Sequence, residues 1–140
     1  MFKPKRLLTF ATLSAVVFLG AARAADAPAG TDWSKAQAIT VAMSDFSFAP
    51  ANLQLHANQP YRLHLTNSTG HGHSFDAPVL FAAAAIAPDD QAKVVDGSIE
   101  VAGGQSVDVK FVPSAAGTYK FHCSHFLHSS FGMHGEAVVQ

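Results

Sequence analysis

The chain has 140 residues, with one cysteine, eight histidines and nine Lys/Arg against ten Asp/Glu. A lone cysteine excludes an internal disulfide. So even a charge balance leaves no basic footprint for nucleic acid or an anionic membrane surface.

Lys3, Lys5 and Arg6 form a basic start, followed by an apolar stretch over residues 7–20 and by Ala22-Arg23-Ala24. The apolar stretch is shorter than the roughly 20 residues a spanning helix needs, and small residues two apart suit a signal peptidase. Residues 1–24 therefore read as a signal peptide cleaved after Ala24. That directs the chain to the periplasm with no stable membrane insertion after cleavage. Cleavage removes four of the nine cations and no acid, so the mature domain carries five Lys/Arg against ten Asp/Glu. A basic patch on a partner would complement such a surface.

Residues 25–36 read as an N-terminal leader, and residues 37–140 as one domain large enough to bury a core. Alternation of period two, the signature of half-buried strands, dominates that domain. It runs through Ile39, Val41 and Met43; Leu53 and Leu55; and Tyr61, Leu63 and Leu65. It resumes at Val107, Val109 and Phe111, then at Tyr119, Phe121 and Cys123, and closes over residues 135–140. Ala49-Pro50, Asn58-Gln59-Pro60, Gly103-Gly104 and the stretch 113–117 punctuate these runs. The pattern predicts an all-β, Greek-key antiparallel β-sandwich. The alanine-dense segment 78–93 predicts one short helical excursion between strands.

The chemistry concentrates after the penultimate strand. Cys123 shares its face with Tyr119 and Phe121, so its thiol points into the sandwich while His122 and Ser124 point out. His128 follows five residues later and Met133 five beyond that. A leftover thiol in an oxidising compartment is buried, paired between chains or bound to something. Thiolate, imidazole and a weak thioether make up the donor set of a one-electron copper centre, which needs one further imidazole. His73 is available on the turn-rich stretch after Asn67, with His71 beside it as a rival; His125 is the rival of His128. His56 and His64 share strand faces with Gln54 and Arg62 and read as solvated.

These residues resemble the cupredoxins, the small blue copper proteins of plastocyanin and azurin type. The likeness is carried by Asp45-Phe46-Ser47-Phe48-Ala49-Pro50, by Leu65-Thr66-Asn67 leading to His73-Ser74-Phe75, and by Gly117-Thr118-Tyr119-Lys120-Phe121-His122-Cys123. Met133-His134-Gly135 and Val138-Val139 complete it. The resemblance implies a single copper ion, Cu(I)/Cu(II), held by His73, Cys123, His128 and Met133. It differs from many members at Ser74, where Asn is frequent and ties the two ligand loops together, and at Phe126-Leu127, where Pro-Gly is frequent.

The function expected from this is shuttling of single electrons between a redox protein donor and acceptor, by a monomer. The alternative is copper handling, with delivery to a copper-accepting protein, which the imidazoles of His71, His125 and His134 near the ligands would suit. No enzyme is expected. A multicopper oxidase flanks its cysteine with histidine on both sides, whereas Ser124 takes one of those places here. Phe126, Leu127 and Phe131 on the ligand loop suit an apolar docking patch.

Overall fold

The computed structural model describes residues 25–140; the expected signal peptide lies outside the described residues. Among the described residues, ten strands form two five-stranded sheets. The first holds β1 (Gln37–Ser44), β2 (Ser47–Ala49), β4 (Tyr61–Asn67), β6 (Ala84–Ile86) and β8 (Ser106–Pro113), in the order β2-β1-β4-β8-β6. The second holds β3 (Asn52–Leu55), β5 (His73–Asp76), β7 (Ser98–Val101), β9 (Gly117–His122) and β10 (His134–Val139), in the order β3-β10-β9-β5-β7. This is the predicted sandwich. Two of its pairings are parallel rather than antiparallel: β1 with β4, and β3 with β10.

The period-two residues face inward as expected. Val41, Met43, Leu53, Leu55, Leu63, Leu65, Val109, Phe111 and Phe121 are all buried. Most of their neighbours across the pleat are exposed or half-buried, because successive side chains of a strand point to opposite faces. Aromatic rings bridge the layers near the site: Phe121 stacks on Phe75 at 4.5 Å and meets Phe48 edge-on at 5.2 Å. Each such ring contributes about 1.5–3 kcal/mol by leaving water.

The excursion over 78–93 is only partly helical. One α-helix spans Pro78–Ala82, and a 3-10 segment spans Pro88–Lys93. Between them Ala84–Ile86 is extended and pairs with Phe111 to Pro113 at the sheet edge. Alanine's helix preference is worth only tenths of a kcal/mol per residue, and a sheet edge offering hydrogen bonds outweighs it. Asp90, almost fully buried, pins the 3-10 segment to the sheet: it accepts Lys93 Nζ at 2.6 Å and the Lys110 amide at 2.9 Å.

The end of the sandwich that carries the site is closed by close packing. At Gly135 a β-carbon would overlap the Ala51 carbonyl and the Phe121 ring. Across the base of the last loop, the Cys123 amide donates to the Met133 carbonyl at 3.0 Å.

Candidate metal centre

Three donor atoms from two segments meet at this end. Cys123 follows β9, His73 begins β5, and His128 lies on the loop between β9 and β10. Cys123 Sγ stands 3.5 Å from His128 Nδ1 and 3.9 Å from His73 Nδ1, and the two Nδ1 atoms are 3.2 Å apart. A point equidistant from all three lies about 2 Å from each, the range of metal–imidazole bonds. His73 and Cys123 are fully buried and His128 is half-buried, so the triangle is dry on the inside and reaches the surface at one corner. Among the described residues no other three His, Cys, Asp or Glu side chains converge this closely.

The loop delivers His128 through a tight fold. Leu127 has φ 63°, and Gly132 has φ 106°, a left-handed value glycine adopts without steric cost. The His128 carbonyl accepts the amides of Phe131 and Met133 at 3.2 and 3.0 Å, which curls the loop back under its own histidine. Met133 is fully buried at the base of that loop, with its backbone tied to both Cys123 and His128. The sequence-predicted residues His73, Cys123, His128 and Met133 thus gather at one end of the sandwich. His71 is three-quarters exposed and stands 3.7 Å from Asp45. His125 turns its Nε2 to Glu100 at 3.0 Å. Neither belongs to the triangle.

The tautomer of His73 follows from its neighbours. Buried Asn67 donates through Nδ2 to the carbonyls of His71 and Val101 at 2.7 and 3.0 Å, which fixes its Oδ1 as an acceptor. That oxygen takes the Thr69 hydroxyl proton at 2.8 Å. The Thr69 oxygen, 3.1 Å from His73 Nε2, is therefore left to accept. His73 carries its proton on Nε2 and aims a bare Nδ1 lone pair into the triangle, as a metal ligand must. Asp45, 3.4 Å from the same Nε2, adds a carboxylate. Burial holds the His73 pKa below its ordinary value, the facing His128 lowers it further, and Asp45 opposes both. The ring stays neutral to lower pH than a free imidazole.

Ser74 takes over the work expected of a longer side chain. Its hydroxyl accepts the Ser124 amide at 2.8 Å and lies 2.9 Å from the Ser124 hydroxyl, so it joins the two ligand segments despite its shortness. Its own amide donates to Cys123 Sγ at 3.5 Å, a second tie between the two ligand segments.

Three neighbours were not legible as part of the site. Asp45 and Phe46 form the turn between β1 and β2, and Thr69 sits in the loop before β5. Phe46 packs edge-on against His128 at 5.4 Å and against Phe131 at 5.3 Å, with φ 68°, uncommon for an aromatic residue. An apolar ring in an otherwise polar turn was the available signal. Together with Phe126, Leu127 and Phe131 it forms an exposed apolar rim around the half-buried imidazole.

One thiolate, two imidazoles and a thioether fit a single type 1 copper ion: soft sulfur suits Cu(I), imidazole suits Cu(II), and few ligands suit both. Among the described residues no helix is long and apolar enough to cross a membrane. No curated protein matches the chain in sequence. Among solved structures, auracyanin B shares 22% identity at a TM-score of 0.57, covering 84% of this chain and 96% of its own. Auracyanin from Roseiflexus castenholzii shares 18% at 0.56, covering 75% and 98%. Auracyanin A, a "blue" copper protein from Chloroflexus aurantiacus, shares 19% at 0.54, covering 74% and 98%. At these identities the likeness establishes the sandwich alone. The model of the cupredoxin-like domain matches residues 10–139, and with nearly the whole chain inside that match, this protein belongs to the cupredoxin-like family.

Proposed function

We propose that this chain is an exported one-electron carrier whose copper is held by His73, Cys123, His128 and Met133. The observation that carries the reading is the triangle of Sγ and two Nδ1 atoms, set by two β segments and already at bonding span. When bound, copper supplies the Cu(I)/Cu(II) couple. The protein's part is to keep the donors still. Ser74 locks the two segments together, Asn67 and Thr69 fix the His73 ring, and the loop base fixes Cys123 and Met133. Donors that need not move when charge changes keep reorganisation small.

His128 is the ligand that reaches the surface, and the rim of Phe46, Phe126, Leu127 and Phe131 surrounds it. An apolar rim lets a redox partner approach the imidazole edge and leave again without a large desolvation cost. The basic residues Lys3, Lys5 and Arg6 and the small-residue site at 22–24 support export to the periplasm.

The mature protein with one equivalent of Cu(II) should give an intense visible thiolate-to-copper band. The band should bleach and return with reductant and oxidant, and Cys123→Ser should abolish it. A protein that stays colourless and surrenders Cu(I) to a competing acceptor would instead support copper delivery.

A further inference from the structure

A second pair of imidazoles stands on the outer face of the same sheet. His122 on β9 and His134 on β10 are directly opposite one another in register. The bond from the Cys123 amide to the Met133 carbonyl runs just beside the pair. That pattern makes 122 and 134 a non-hydrogen-bonded pair, the narrow class with Cα atoms about 4.5 Å apart and side chains closest. Phe121, Cys123, Met133 and Gly135 point inward, so both rings stand on the opposite, outward face.

We propose that His122 and His134 form a surface site for one divalent cation that favours imidazole, distinct from the buried triangle. Two rings whose Cβ atoms lie about 4.5–5.5 Å apart can close on one ion. Carboxylates flank them: Asp76 pairs with His122 across β5, and Glu136 lies two residues beyond His134 on the same face. A surface groove there is lined by Lys120, His122, His134 and Glu136.

Four of the other six histidines of the domain face a carboxylate. His64, His71, His73 and His125 each have a carboxylate within ion-pair reach, at 2.9, 3.7, 3.4 and 3.0 Å. Among the described residues, neither His122 nor His134 is in such a pair, so both keep ring nitrogens for a metal. Imidazole sites bind Cu²⁺ ahead of Zn²⁺, and both ions suit two nitrogens completed by water. The inference does not depend on electron transfer at the buried centre.

The test uses the untagged mature protein loaded with one equivalent of Cu(I), dialysed to equilibrium against Zn²⁺, with bound zinc counted by atomic absorption. One zinc per chain is expected. His122→Gln and His134→Gln should each weaken it by on the order of 100-fold, because the chelating partner is lost. His56→Gln, a lone exposed imidazole elsewhere, should leave it unchanged. Circular dichroism identical to that of the parent establishes that each variant is folded. No bound zinc, zinc retained by the H122Q/H134Q double variant, or zinc lost only in H71Q or H125Q would each overturn the proposal. Zinc entering the buried triangle instead would survive in H122Q/H134Q and so count against it.

Discussion

The Ser74 side chain accepts the backbone N–H of Ser124 at 2.8 Å, a bond between residues fifty positions apart that holds the two ligand-bearing segments in one geometry. Ser74→Ala removes the acceptor and leaves that amide without its partner. The cost should be about 1–3 kcal/mol of stability, the penalty for a part-buried donor left unmet. Thermal unfolding of the metal-free protein measures it. The copper-bound variant should also show a shifted visible band, since the thiolate is next to the broken link. An unchanged melting temperature and spectrum would remove Ser74 from the scaffold of the site.

Thr69 positions His73 through its hydroxyl. In Thr69→Val the Nε2 proton loses its acceptor at 3.1 Å, and Asp45 at 3.4 Å is the nearest replacement. Copper affinity should fall by about 10–100-fold, the usual effect of losing a partner behind a metal-bound imidazole. Thr69→Ser, which keeps the hydroxyl, should restore it. Competition against a chelator of known affinity reads the difference. Equal affinities for Val and Ser would show that the hydroxyl does not orient the ring.

Phe131 tests the docking rim. It is 64% exposed and touches Phe46 rather than a donor atom, so Phe131→Glu places a charge on the rim without disturbing the triangle. Electron exchange with its redox partner should slow by about tenfold, the effect of losing one interfacial anchor. The visible band should stay in place. Stopped-flow kinetics beside an absorption spectrum checks both halves. A normal rate would move the point of electron exit elsewhere.

Asp90 predicts how the fold responds to acid. Burial tends to raise its pKa, but bonds from Lys93 and the Lys110 amide outweigh that and hold it below the ordinary 3.8. A carboxyl whose pKa is lower folded than unfolded contributes stability above the unfolded value. That contribution is lost as pH falls through 3.8 toward the folded value, where the unfolded chain takes up the proton first. Asp90→Asn should cost on the order of 2 kcal/mol at neutral pH and flatten this part of the acid profile. Urea unfolding at a series of pH values separates the two curves.

The sandwich was legible because one face of each strand is buried and the other wet, and that asymmetry is written residue by residue. Which strands pair is not written locally. The parallel match of β1 to β4 depends on the path of the chain between them, so alternation alone suggested only antiparallel neighbours. Ala84–Ile86 was misleading for a related reason: its extended shape comes from the edge of β8, not from its own composition. At the site, Cys123, His128 and Met133 declared themselves by sharing one loop. Thr69 and the Asp45-Phe46 turn did not, because their roles depend on a fold that carries them to the ligands from elsewhere in the sequence.

The Cys123–Met133 backbone bond makes the intervening segment a closed loop with an anchored neck. Residues 125–132 could then be lengthened, shortened or exchanged as a cassette while both sulfur-bearing residues, and the Ser124 amide bonded to Ser74, stay at the neck. Only the loop imidazole would travel. Variation among such loops becomes a dial on one ligand of the metal, turned without rebuilding the β framework that holds the rest.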